Sequence, residues 1–123
     1  MKININGNVI KLLKQCMDKP IEYGGMLFGM KLINLNIQAL TTKVGESSSI
    51  SFKSDDYKIY HIPKGNKIIG TWHHHPITNS LPSSIDLEQW EKWGKQYVHI
   101  LTCKNMISVY SYKGEKIYEK RYS

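Results

Sequence analysis

The stretch "GTWHHHPITNSLPSSIDLEQW", Gly70 to Trp90, sets three histidines before a proline and follows them with a serine and an aspartate. On a strand, side chains alternate faces, so His73 and His75 project together while His74 turns to the opposite side with Trp72. Two imidazoles on one face can share a metal ion. Catalytic zinc takes three protein ligands from His, Asp/Glu or Cys and leaves its fourth tetrahedral position to water. A carboxylate must therefore return to the same place. Asp86 is the natural candidate: Pro76 stops the strand, the chain turns back, and Ser83 as N-cap opens a helix whose third position is Asp86. There the helix N-terminus supports the ionised carboxylate, and a metal cation would stabilise it further.

Hydrolysis at such a centre also needs a base for the attacking water. Glu22 is attractive because it precedes Gly24 and Gly25, where the missing side chains permit close backbone approach. Residue chemistry alone does not single it out. Glu46 in a loop stands as an alternative, whereas Glu88 points to another side of the helix than Asp86. His61 and His99 read as structural, and Cys103, on an apparently apolar strand, reads as core.

The elements that must position these groups are legible in outline. From Asn8 to Asp18, Val9, Leu12, Leu13, Cys16 and Met17 recur at helical spacing, and Pro20 closes the helix. "MLFGMKLI" and "NLNIQALTTKV" read as a hairpin turned at asparagine. "SISFK" is a short strand, whereas the period of "SDDYKIYHIPKGN" does not decide between helix and edge strand. "KIIGTWHHH" is a buried strand. The second helix starts at Ser83, with Ile85, Trp90, Trp93 and Tyr97 as its apolar stripe. Three further strands, "YVHILTC", "MISVYSY" and "KIYEKRY", follow with short turns between them. The expected fold class is α/β, a single domain over residues 1–123 with a mixed or antiparallel sheet flanked by two main helices.

Composition narrows the function classes. A chain of 123 residues, 41% hydrophobic and 22% charged, has the size and balance of one globular domain. Lys11 and Lys14 interrupt any signal-peptide core near the start, and no run approaches the roughly 18 apolar residues of a membrane span. The two cysteines, Cys16 and Cys103, cannot build a disulfide framework. A cytoplasmic setting with no membrane partner is expected. The net charge of +7 is spread along the chain, and "KGEKIYEKRY" is interleaved with Glu115 and Glu119. It reads as a solvated lysine-rich surface, and nucleic acid is not the expected partner.

The segments "EYGGMLFG" and "HHHPITNSLPSSID" resemble the JAMM (MPN+) zinc metalloprotease family of JAB domains, whose signature is a glutamate, then H-x-H-P, then S-x-x-D. His73, His75, Pro76, Ser83 and Asp86 match at the family's spacing, and Glu22 falls at the glutamate position. His74 departs from the Ser or Thr usual there. Long insertions found in some eukaryotic members are missing, so the chain resembles the compact prokaryotic type. The resemblance implies a JAB/MPN-like, cytidine-deaminase-like architecture and one zinc ion held by His73, His75 and Asp86. It implies Glu22 as general base and Ser83 as hydrogen-bond donor to the oxyanion. It also implies hydrolysis of a peptide or isopeptide bond, often after the C-terminal glycine of a ubiquitin-like or sulfur-carrier protein. The competing classes are a noncatalytic protein-interaction module and a RadC-like nucleic-acid-associated protein on the same fold. Interaction modules of the family usually lose the ligands that this chain keeps.

Overall fold

In the computed structural model, residues 2–17, 23–31, 33–44, 64–76 and 81–122 are described. Helix α1 spans Gly7–Met17. Its start is held by Asn6, whose side chain accepts a hydrogen bond from the Asn8 N–H at 2.8 Å. Val9, Leu13, Cys16 and Met17 are its buried residues, a one-sided stripe with three- and four-residue spacing. The segment expected to end this helix, Asp18 to Pro20, lies outside the described residues.

Strands β1 (Ile3–Ile5), β2 (Tyr23–Lys31), β3 (Leu35–Leu40), β4 (Lys43–Val44), β5 (Lys67–His74), β6 (Val98–Cys103), β7 (Met106–Ser111) and β8 (Lys116–Arg121) form a single sheet. The order is β1-β3-β2-β5-β6-β7-β8, with β4 pairing β2. β2 and β3 make the expected antiparallel hairpin. The last three strands make an antiparallel meander. Two pairs are parallel, β1 with β3 and β5 with β6, so the sheet is mixed. A parallel neighbour cannot be reached by a tight turn, and helix α2 (Ser84–Trp93) lies in the connection from β5 to β6. The three-residue β1 is an addition that the hydrophobic pattern did not indicate. "SISFK", His61 and most of the segment after them lie outside the described residues.

The helices cover opposite faces. Trp72, Ile100, Ile107 and Val109 join the α1 residues in the main core, whereas Leu101 and Tyr110, their neighbours along β6 and β7, pack on Trp90 of α2. Alternation along the strands therefore assigns one face to each helix. A bulge in β5 sets the phase. Leu27 pairs Gly70 and Phe28 pairs Ile68, so Ile69 is the extra residue. Ile69 and Trp72 consequently share the α1 core, and from Thr71 onward the odd-numbered side chains face α2. Among the described residues, no helix is long and apolar enough to cross a membrane.

Two details of the second helix differ from expectation. Ile85 is 55% exposed, and Tyr97 lies past the helix end at Gly94, which has φ +105° and donates its N–H to Trp90 O. The buried residues of α2 are Asp86 and Trp90. The inward face thus carries the carboxylate one turn before the tryptophan, which turns Ile85 outward.

Close backbone approach explains one glycine near the site. A Cβ on Gly25 would stand 1.9 Å from Thr41 O and 2.7 Å from Trp72 Nε1, and the Trp72 indole N–H donates to that same carbonyl at 2.7 Å. Any side chain at Gly25 would displace this bond.

Candidate metal centre

The exit of β5 supplies the two imidazoles. His73 sits in the ladder between Gly24 of β2 and Leu101 of β6. His75 falls one residue past the strand, yet its N–H still donates to Thr102 O at 2.8 Å. It therefore keeps the alternation, and the rings of His73 and His75 meet edge to face at 4.7 Å. His74 takes the other face, fully buried, with Nδ1 2.9 Å from the hydroxyl of its register partner Thr102.

The start of α2 supplies the carboxylate. Ser83 is the N-cap, its hydroxyl oxygen accepting from the Asp86 N–H at 3.1 Å. Asp86 Oδ2 accepts in return from the Ser83 N–H at 2.8 Å. This reciprocal capping box fixes the rotamer of Asp86. Its Oδ1 then stands 3.2 Å from His73 Nδ1 and its Oδ2 3.4 Å from His75 Nε2.

The donor set suits a divalent ion. One atom from each of His73, His75 and Asp86 lies within 4.8 Å of the others. Donors about 2.0–2.1 Å from a tetrahedral zinc are separated by about 3.3 Å, close to the two N···O distances above. The His73 side chain is 15% exposed while that of Asp86 is 6% exposed, so the cluster is recessed but reached by solvent. Two imidazoles and one carboxylate are a donor set of the kind that holds a metal ion such as zinc.

Charge balance keeps Asp86 ionised. Burial opposes the charge, but the hydrogen bonds from His73, His75 and the Ser83 backbone outweigh it and hold the carboxyl well below the usual carboxylate range. His99, fully buried on β6, is pushed down to about 3 by burial, against the attraction of Asp86. It is neutral at physiological pH. Below about pH 6.5 the unfolded chain protonates this histidine while the folded chain does not, so stability falls with pH until about pH 3. Asp86 adds a loss of the same sign below its unfolded value near 4. The metal-free protein should lose up to about 1.4 kcal/mol per pH unit from His99 alone. Urea unfolding at pH 7, 6 and 5 measures this, and a constant midpoint would contradict it.

Of the residues read from the sequence, His73, His75, Asp86 and Ser83 come together here. Glu22 and its alternative Glu46 lie outside the described residues. Sequence reasoning passed over the surroundings of His99, whose Nδ1 is 2.6 Å from the Thr71 hydroxyl and whose ring stacks on Trp90 at 4.9 Å. Neither contact has a local sequence signal, because both join residues distant in the chain.

A mixed sheet between two helices, with a His-His-Asp cluster at the end of one strand and the start of the next helix, defines a JAB/MPN-type domain with a site compatible with a metal ion. A family model described as prokaryotic homologs of the JAB domain matches residues 10–113, and the chain belongs to that family. Among solved structures it is similar to a JAB1/MPN domain protein from Archaeoglobus fulgidus, at 28% identity and a TM-score of 0.64 over 96% of this chain and 95% of that one. It is also similar to a structure described as JAMM, a metalloprotease-like zinc site in the proteasome and signalosome, at 22% identity and a TM-score of 0.60 over 96% and 95%. A protein from Desulfitobacterium hafniense shares 15% identity with a TM-score of 0.63 over 98% and 91%. The last two likenesses show the fold alone. A search of curated proteins returns no match.

Proposed function

We propose that this chain is a zinc-dependent peptidase or isopeptidase that cuts at the C-terminus of a ubiquitin-like or sulfur-carrier protein. The observation that carries the reading is the convergence of His73, His75 and Asp86, with N···O distances of 3.2 and 3.4 Å, on a spot that solvent reaches. His73 Nδ1, His75 Nε2 and an Asp86 oxygen would hold the ion. When bound, zinc supplies Lewis-acid charge that acidifies water and polarises a carbonyl.

The chain's own groups do the rest. Glu22 takes the proton of the attacking water and returns it to the leaving amine. Ser83 donates its hydroxyl hydrogen to the oxyanion while its oxygen keeps accepting from the Asp86 N–H, a division of labour that a hydroxyl allows. The Ser83 N–H on Asp86 Oδ2 keeps that carboxylate from rotating away. No covalent acyl-enzyme is required.

The test is a cleavage assay with a ubiquitin-like or sulfur-carrier protein extended beyond its C-terminal glycine. The zinc-loaded chain should release the extension, chelation should stop the reaction, and added zinc should restore it. Cleavage untouched by chelation would overturn the metal mechanism. An absence of cleavage beside a salt-sensitive, zinc-independent affinity for DNA would favour the nucleic-acid reading.

A further inference from the structure

The two elements that bear the donors, β5 and α2, follow one another in the chain, and a third element touches both. From β6, His99 reaches both. Its Nδ1 is 2.6 Å from Thr71 Oγ1 on β5. Its ring lies on Trp90 of α2 with centroids 4.9 Å apart and planes 4° from parallel. The edge of Trp93, one turn further along α2, closes over it at 6.5 Å and 75°.

Each contact sits one step behind a donor. Thr71 precedes His73 by two residues on the same strand face, about 7 Å along β5. Trp90 follows Asp86 by four residues on the same helix face, about 6 Å along α2. We propose that His99 is a positioning residue of the metal centre: by gripping Thr71 on one side and Trp90 on the other, it sets the spacing between the His73–His75 pair and Asp86. This rests on the metal-site reading above.

Plain core filling does not account for a histidine here. His99 is fully buried, and among the described residues its Nε2 meets no hydrogen-bond partner, a cost that leucine or phenylalanine would avoid. What the imidazole adds is direction. The bond at Nδ1 fixes the ring plane, and the fixed plane presents a flat face to the indole. Trp90 is held from its surroundings too, packing on Leu101 and stacking with Tyr110 at 5.5 Å, so a displaced His99 ring would be transmitted to α2. A zinc site tolerates errors of only about 0.2 Å in its donor distances.

The test uses the full chain with Zn2+ or Co2+ alone. Zinc affinity is measured by competition with a chromogenic chelator at 25 °C for wild type, His99→Leu and Thr71→Val, with circular dichroism to establish that each is folded. Both variants should bind zinc roughly ten- to a hundredfold more weakly, the range for residues that orient a ligand set, and should shift the visible absorption bands of bound Co2+. A merely structural role would lower the melting temperature and leave the affinity and bands of the folded protein unchanged. That outcome would overturn the proposal. Should His99→Leu fail to fold, Thr71→Val decides, since it removes the hydroxyl and leaves the aromatic stack. A wild-type chain that binds neither ion overturns the metal reading and this one together, whereas tight binding by wild type and variants alike overturns this one only.

Discussion

Substituting Asp86 by alanine should strip the chain of zinc and of hydrolytic activity together. Among the described residues the carboxylate is the one anionic donor of the cluster, and its two oxygens are what each imidazole faces, at 3.2 and 3.4 Å. With it gone, two imidazole nitrogens remain. Zinc sites in small domains are worth about 10–16 kcal/mol in all, so losing one of three ligands should weaken binding by roughly a thousandfold or more. The same change removes the acceptor of the Ser83 N–H, half of the capping box, at a cost of about 1 kcal/mol to the helix start. Asp86→Asn separates the two effects: its amide oxygen can still accept the Ser83 N–H, but the negative charge is absent. Asparagine should therefore keep the capping bond, lose the stability that the ionised carboxylate contributes, and still bind zinc weakly. Metal content after gel filtration, turnover and urea midpoints measure all three. Full zinc occupancy in Asp86→Ala would remove this residue from the donor set.

That contrast shows which parts of the site could be read without coordinates. The capping box is local, joining Ser83 to a residue three positions on, and its geometry follows from residue types at fixed spacing. The pairing of His73 with His75 is local as well, since alternation on a strand needs no knowledge of the neighbours. The bulge at Ile69 was invisible, because it depends on how Leu27 and Phe28 register against Gly70 and Ile68. It left the histidine reading intact only because it falls before Thr71. Other features missed are non-local in the same way. β1 has three residues and gains its place by pairing with Leu35, Asn36 and Ile37. His99 read as structural, and its contacts with Thr71 and Trp90 exist because β6 lies beside β5 and beneath α2. The apolar stripe assigned to α2 erred at Ile85 because the inward face was already taken by a carboxylate, a choice that chemistry made against hydrophobicity.

Glu22→Gln, by contrast, should leave zinc in place and remove turnover. Glutamine conserves the size and polarity of the side chain but cannot accept a proton at neutral pH, so the expected loss is that of a general base, about 10²- to 10⁴-fold. The position suits the task on the chain's own pairing. Gly24 faces His73 across the β2–β5 ladder, Gly25 is packed so closely that no side chain fits beside Thr41 O and Trp72, and Glu22 stands just before both in sequence. The zinc content of the variant is the deciding control. Turnover lost with zinc retained assigns proton transfer to Glu22. Turnover and zinc lost together would make it a support of the metal instead. Wild-type turnover would remove it as the base and return the role to Glu46, the other glutamate that residue chemistry left open.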